Sequence, residues 1–318
     1  MTQKMDGAPL QESDIAIRLH TGHADLLEQG VRAAFPGIEL ARGPLETSRR
    51  ERMLVTFIPP RDEDLSKYDW VHCVGAGVDA ICKTFEAIDP KPLVTRTVGR
   101  MGDQIGEYCV AYALAHLQKM ALRRALQAEA RWARGMCAPT YLFETSVAVL
   151  GTGAIGQGVA RAFSALGATV TGISRSGTPV DAFDRVIRLD NVASHPGADI
   201  LVAALPLTPQ TDELVGAQVF STLKSALFIN VGRGATLDEG ALRGALDAGQ
   251  VSHAVLDVFR DEPLDPSSWL WRHEAITVTP HVSGLTRPED SVERLLQLLK
   301  TRLSGEAIHS DVDISRGY

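Results

Sequence analysis

The sequence predicts an α/β protein with two doubly wound parallel sheets, each at the centre of its own domain. Short apolar runs rich in β-branched residues alternate with segments of helical period along the chain, which is typical of parallel sheets covered by helices. A second series of such runs begins at Ser146, after the longest helical pattern. The length of 318 residues also suits two domains of ordinary size.

The predicted elements follow one another through short connections. In the first part of the chain we predict strands over 14–19, 53–57 and 70–74, with helices over 24–35 and after a turn at 75–79. Residues 106–134 form one long helical pattern, which we expect to lead from one domain into the next. Further strands are predicted over 146–150, 168–173, 200–204, 227–230, 254–257 and 276–278. After Pro288 the chain is helical again, with an apolar stripe.

The composition excludes several classes of protein. Hydrophobic residues make up 45% of the chain and charged residues 22%, which is the balance of a globular protein. The net charge of −7 argues against a nucleic-acid surface, although a local positive charge can still bind a small anion. No run reaches the roughly 18 apolar residues of a membrane span, and the first residues have no signal-peptide core. The four cysteines form no CxxC pair, so we expect reduced thiols, no metal site and a cytoplasmic protein without a membrane partner.

A glycine-rich turn follows the predicted strand at 146–150. Its glycines have the spacing GxGxxG: Gly151, Gly153 and Gly156. The first permits a tight turn, the second lets a pyrophosphate approach the backbone, and the third lets the helix over 157–166 pack closely on the strand. We therefore predict a dinucleotide site at the start of this helix, with Ala154 and Ile155 lining it, rather than a purely structural turn.

The residues after the next strand indicate whether the dinucleotide is NAD or NADP. An NAD site usually has Asp or Glu about 20 residues into the unit, on the ribose 2′-hydroxyl. Here the strand ends in Ser174, Arg175 and Ser176, and no acid occurs before Asp181. Arg175 suits a bidentate contact with a 2′-phosphate, to which the serine hydroxyls would donate. We predict NADP(H) as the preferred cofactor, with NAD(H) as the second option and an exposed loop arginine as the alternative interpretation.

Three further segments supply a cation, a carboxylate and an imidazole. Arg233, Glu262 and His281 each come shortly after a predicted strand, at the edge where open α/β sheets bind ligands. Hydride transfer to a 2-oxo acid needs a cation for the carboxylate, an acid for the developing alkoxide, and a group that holds this acid. Each side chain alone is also common on a solvated loop. Their coincidence in the domain with the glycine turn indicates a catalytic site.

The glycine turn and five short segments have sequences typical of one enzyme family. The segments are GAGVDAI (75–81), LPLTPQT (205–211), NVGRG (230–234), LDVFRDEPL (256–264) and TPHVSGLTRPED (279–290). Over about residues 71–290 the chain resembles the D-isomer-specific 2-hydroxyacid dehydrogenases, in particular the NADPH-dependent glyoxylate/hydroxypyruvate reductases. This resemblance implies a flavodoxin-like substrate domain, residues 1–98 and 286–318, and an NAD(P)-binding Rossmann domain, residues 99–285.

The resemblance also implies a role for each site residue. Arg233 would bind the substrate carboxylate and carbonyl, His281 would be the acid/base, and Glu262 would hydrogen-bond its other ring nitrogen and favour the imidazolium. Asp257 would face the nicotinamide carboxamide, with a loop cap as the alternative. A backbone loop would hold the substrate carboxylate from the opposite domain, and two segments would complete the cofactor site. The loop is Gly75, Ala76, Gly77 and Val78, and the two segments contribute Leu205, Pro206, Val231 and Gly232.

Several points stay open at the level of sequence. Phe57 and Ile58 stand where the reductases have a wall of the substrate pocket, and the first 50 residues match the family poorly, so a larger D-2-hydroxy acid is an alternative substrate. A nucleotide-sensing regulator of the same fold is an alternative of another class. If His281 is not the acid, His72 is the next candidate because it precedes the 75–78 loop.

The region after Gly106 carries more apolar surface than a linker needs. It includes Trp132, Met136 and Tyr141 just beyond or within the helical pattern. In the proteins that it resembles, this region packs two cofactor domains together about a twofold axis. We therefore expect an isologous homodimer, with a small anionic 2-oxo or 2-hydroxy acid as the ligand and no nucleic acid.

Overall fold

A computed structural model describes residues 4–5, 10–194 and 197–318 of the chain. It divides into two compact units. The terminal unit comprises Met1–Arg100 and Thr286–Tyr318, and the inserted unit comprises Met101–Leu285. No helix among the described residues is both long enough and apolar enough to cross a membrane.

The elements follow in the order that the alternating pattern predicts. The strands are β1 (Lys4–Met5), β2 (Ile15–His20), β3 (Glu39–Ala41), β4 (Glu51–Thr56), β5 (Trp70–Cys73), β6 (Leu93–Arg96), β7 (Ser146–Leu150), β8 (Thr169–Ser174), β9 (Arg185–Arg188), β10 (Ile200–Ala203), β11 (Ala226–Asn230), β12 (Val251–Leu256), β13 (Ile276–Val278) and β14 (Ile308–His309). The α-helices are α1 (Ala24–Ala34), α2 (Asp79–Phe85), α3 (Met101–Leu117), α4 (Met120–Ala128), α5 (Ala154–Ser164), α6 (Ala217–Phe220), α7 (Glu239–Asp247) and α8 (Pro288–Leu303).

The terminal unit is built on a parallel sheet of five strands in the order β3-β2-β4-β5-β6. This is the flavodoxin-type order, in which the chain reverses direction across the sheet next to the first strand. Both faces of the sheet are covered, so its central strands are buried along almost their whole length rather than at alternate residues. On one face α1 and α8 bury Leu27, Val31 and Leu299 against the sheet. The short strands β1 and β14 form a separate antiparallel pair.

The inserted unit is built on a parallel sheet of seven strands in the order β13-β12-β11-β10-β7-β8-β9. Its first strand β7 lies between β8 and β10, so the order reverses there, as in dinucleotide-binding folds. Glycines let α3 and α5 pack closely, because a Cβ at Gly158 would overlap the backbone of Gly102. The predicted fold class, with two doubly wound parallel sheets, is confirmed.

The long helical pattern over 106–134 does not form one helix. The helix begins earlier, at Met101, and ends at Leu117, and a second helix covers Met120–Ala128. Between them Lys119 adopts a left-handed conformation, with φ of 51°. The returning chain stabilises this break, because the amide of Thr140 donates to the Leu117 carbonyl at 3.1 Å. The single-helix prediction is therefore wrong, since this tertiary contact overrides a pattern that contains no glycine or proline at the break.

Candidate active site

The three predicted catalytic segments leave neighbouring strands at one edge of the inserted sheet. Arg233 follows β11, Glu262 follows β12 and His281 follows β13, and these strands are adjacent and parallel. The glycine turn leaves β7 at the same edge. The topology therefore gathers all four segments where α/β sheets bind ligands.

His281 and Glu262 form a hydrogen-bonded pair. Nδ1 of His281 lies 2.7 Å from Oε2 of Glu262. The other carboxylate oxygen accepts the amide of Phe259 at 2.9 Å, which fixes the Glu262 side chain. Since the carboxylate can only accept, Nδ1 carries a proton, and Nε2 is the nitrogen left for proton exchange with a ligand. The two side chains remain partly exposed, at 47% and 36%.

Asp257 accepts hydrogen bonds from the loop that carries His281. It directly follows β12, and its carboxylate is fully buried. Its Oδ1 accepts Thr279 Oγ1 at 2.6 Å and the Val282 amide at 2.9 Å, and its Oδ2 accepts the Ser283 amide at 2.9 Å. The amide of His281 donates to the Asp257 carbonyl at 2.9 Å. These bonds hold His281 in a left-handed conformation, with φ of 52°.

The Arg233 turn is shaped by buried polar groups on the same segment. The Asn230 side chain is fully buried and accepts the Gly232 amide at 3.2 Å. The Arg233 carbonyl accepts the Thr236 hydroxyl at 2.7 Å, and its guanidinium Nη1 donates to the Gly232 carbonyl at 2.8 Å. The half-buried guanidinium is therefore oriented by its own turn.

The two glycines of this turn connect it to its neighbours. A Cβ at Gly232 would lie 2.6 Å from the Leu205 carbonyl oxygen, and a Cβ at Gly234 would overlap the backbone of Phe259. Phe259 is the residue whose amide holds Glu262. The NVGRG sequence thus packs directly on both the predicted cofactor segment and the Glu262 loop.

The glycine turn after β7 has the geometry that a pyrophosphate requires. Gly151 has φ of 101°, and a Cβ at Gly156 would overlap the Gly151 carbonyl. Gly153 caps α5 and has nothing within 4 Å of its Cβ position, and both it and Ala154 are exposed. The first amides of α5 have no partner within the helix, and this end of the helix is exposed, with Ile155 half-buried. This cradle fits a dinucleotide.

Comparison with known proteins identifies the family. Residues 110–283 match the model of the D-isomer specific 2-hydroxyacid dehydrogenase NAD binding domain. The chain belongs to this family. The predicted membership of this family is confirmed, and the protein is an NAD(P)-dependent 2-hydroxyacid dehydrogenase.

Individual relatives agree with this assignment. Glyoxylate/hydroxypyruvate reductase A of Yersinia enterocolitica is 32% identical over 299 residues, covering 91% of this chain and 95% of the relative. An uncharacterized protein of Streptomyces coelicolor is 37% identical over 258 residues, covering 78% of this chain and 89% of the relative. The crystal structure of an NADPH-dependent glyoxylate/hydroxypyruvate reductase from Sinorhizobium meliloti, in complex with NADP and sulfate, has a TM-score of 0.81 at 27% identity; the match covers 96% of this chain and all (100%) of that chain.

The remaining predicted cofactor segments of the dehydrogenase flank the glycine turn. Leu205 and Pro206 follow β10, and the Pro206 carbonyl accepts the Thr211 hydroxyl at 2.7 Å. A Cβ at Gly151 would lie 2.7 Å from the Ala204 carbonyl, so this segment packs on the turn. Val231 is buried behind it. The segments thus meet at the reversal point between β7 and β10.

The predicted 2′-phosphate residues lie at the end of β8. Ser174 ends the strand and its Oγ accepts the Gly177 amide at 3.1 Å, while the Ser176 Oγ accepts the Thr178 amide at 3.2 Å. Arg175 lies between them with an exposed side chain. A second cation, Arg188, lies opposite Ser174 in the β8–β9 register, where it pairs with Asp190 at 2.7 Å. Its position was not predictable from the sequence, because β9 is an edge strand of only four residues.

The predicted substrate loop of the dehydrogenase lies in the terminal unit, between β5 and α2. Its carbonyls are held from within the unit: Arg96 Nη1 donates to Ala76 at 3.1 Å, and the Cys73 thiol donates to Gly77 at 3.3 Å. A Cβ at Gly75 would lie 2.7 Å from the ring of Phe57. Val78 is buried at the start of α2. The role of this loop toward substrate stays a prediction.

His72 is excluded as the alternative acid. It is fully buried on β5, and its ring nitrogens contact the Thr95 hydroxyl at 2.9 Å and the Thr97 hydroxyl at 3.1 Å. Burial lowers the pKa of His72 to about 3, so the ring is neutral and enclosed. It links β5 to β6 as a core residue.

Proposed function

We propose that this dehydrogenase reduces a small 2-oxo acid, glyoxylate or hydroxypyruvate, to the 2-hydroxy acid with NADPH. The observation that supports this most directly is the His281–Glu262 pair at 2.7 Å on the ligand edge of the sheet that bears the glycine turn. The names of the Yersinia and Sinorhizobium relatives support the substrate class.

Each residue then has a defined task. NADPH supplies the hydride when bound. His281 donates the Nε2 proton to the carbonyl oxygen as charge develops there, and Glu262 holds the ring through Nδ1. Arg233 binds the substrate carboxylate and polarises the carbonyl. The carboxylate of Asp257 is fully buried and accepts three bonds from the 279–283 loop, which favours the alternative role of a loop cap over a contact with the nicotinamide carboxamide.

Turnover of a panel of 2-oxo acids with NADPH tests this proposal. We expect glyoxylate and hydroxypyruvate to be reduced fastest when the oxidation of NADPH is monitored by its absorbance.

His281→Ala should lower kcat by roughly 10²–10⁴-fold with NADPH binding nearly unchanged, because it removes the acid and leaves the glycine turn intact. Arg233→Ala should also raise KM, since the arginine grips the carboxylate in ground and transition states. Full activity of His281→Ala contradicts the mechanism, and binding of NADPH without any turnover favours the sensor alternative.

We propose NADPH as the preferred cofactor because Ser174, Arg175 and Ser176 replace the acid of an NAD site. Arg175→Ala should narrow the difference in binding free energy between NADPH and NADH by about 1.5–3 kcal/mol, the range of a charged hydrogen bond. Arg161→Ala, which removes an exposed cation from α5 of the same unit, serves as the control and should leave the difference unchanged. Calorimetric or fluorescence titration measures both. Equal affinity of the wild type for the two cofactors would refute the preference.

We propose that the dehydrogenase forms a homodimer through residues 118–145, the segment that follows α3. Trp132 is 96% exposed and Phe143 62%, and the ring of Phe143 stacks with that of Tyr141 at 5.3 Å. Apolar surface of this kind marks an interaction site. Light scattering at micromolar concentration should give twice the chain mass, and Phe143→Asp should shift it toward one chain mass. Leu26→Asp, which charges a separate exposed leucine on α1, should not. A monomeric wild type contradicts the proposal.

A further inference from the structure

Helix α3 also forms hydrogen bonds with the loop that carries His281. The phenol oxygen of Tyr108 lies 2.6 Å from Thr279 Oγ1, and Thr279 Oγ1 lies 2.6 Å from Oδ1 of Asp257. The threonine hydroxyl has one proton and gives it to the carboxylate, which can only accept. Tyr108 must therefore donate to Thr279. The three groups form a directed chain from Tyr108 to Asp257.

The surroundings of Tyr108 keep it a donor. Partial burial raises the pKa of the phenol well above its usual range, with further contributions from Asp257. Its ring packs against that of Tyr112 at 4.6 Å between centroids. The phenol therefore keeps its proton at neutral pH, and its ring is packed against a neighbour.

Helix α3 supports the same loop at its far end. Gln104 Oε1 accepts the Leu285 amide at 2.9 Å, and a Cβ at Gly284 would lie 2.9 Å from Ile105. The residues held by α3 therefore flank His281 on both sides, at Thr279 and at Gly284 with Leu285. None of these contacts involves the imidazole itself.

We propose that Tyr108 is a positioning residue for His281, acting through Thr279 and Asp257. The inference deepens the proposed function, because it takes His281 as the acid. Loss of the phenol oxygen leaves the Thr279 hydroxyl without its donor and weakens the bond by which Thr279 holds Asp257. The loop from 279 to 283 then samples more positions, and so does the imidazole. Small displacements of a catalytic group reduce the rate of the chemical step more than they reduce binding.

Tyr108→Phe tests the proposal, with Tyr112→Phe as the matched control. Both remove one phenol oxygen from the same helix and keep the ring. We expect Tyr108→Phe to lower kcat roughly tenfold while KM for the 2-oxo acid and the Kd of NADPH stay within about twofold. Tyr112→Phe should leave kcat unchanged. Equal kcat values for the two variants would overturn the proposal, as would a loss that appears in KM alone.

A double-mutant cycle checks the route through Thr279. Thr279→Val should lower kcat at least as far as Tyr108→Phe, and Thr279→Ser should restore most of the loss because it keeps the hydroxyl. Adding Tyr108→Phe to Thr279→Val should lower kcat little further, since the hydrogen-bond chain is already interrupted. Losses that multiply would mean that Tyr108 acts by another route.

A readout without turnover separates this proposal from the proposed function. Hydrogen exchange of the Val282 and Ser283 amides should be faster in Tyr108→Phe than in the wild type or Tyr112→Phe. If no 2-oxo acid is reduced, the proposed function fails and this comparison still decides whether Tyr108 holds the loop. Unchanged exchange together with unchanged kcat rejects the positioning role.

Discussion

The buried carboxylate of Asp257 is the interaction on which the site depends. A charge removed from water is costly unless its hydrogen bonds are made, and this one accepts a hydroxyl and two amides from the loop that follows β13. The loop therefore has little freedom, because releasing it would strand the charge. His281 lies between the bonded residues and is held in a left-handed conformation that an isolated chain rarely adopts. The position of the imidazole follows from the requirement to satisfy one carboxylate.

The parallel sheet turns this local constraint into a site. The loops after β11, β12 and β13 leave one edge side by side, so residues far apart in sequence become neighbours. Contact between them is direct: Gly234 packs on the backbone of Phe259, and the amide of Phe259 holds Glu262, which in turn holds His281. A disturbance of the arginine turn therefore reaches the imidazole through backbone contacts. This coupling explains why NVGRG requires glycines on both sides of Arg233, at positions 232 and 234, where a side chain would displace a neighbouring loop.

Much of this arrangement could be predicted from the sequence, and the exceptions have physical reasons. The apolar runs identified the central strands, the glycine spacing identified the turn after β7, and the position of Glu262 and His281 after strands predicted an edge that they share. The break at Lys119 was not predictable, because it depends on Thr140 returning to bond Leu117. The edge strands β3 and β9 have only three and four residues, which is too short for a periodic signal. The chain from Tyr108 through Thr279 joins residues 171 positions apart, and only the fold brings them together.

The most direct test of the account is a double-mutant cycle between Asp257 and His281, read as the single-turnover rate of hydride transfer at saturating NADPH. Asp257→Asn keeps the volume but turns an amide donor toward groups that also donate. The account predicts a loss of at least roughly a hundredfold when His281 is present and only a few-fold loss in the His281→Ala background, since the carboxylate acts mainly by placing the imidazole. The same loss in both backgrounds would contradict it, because Asp257 would then act independently of His281.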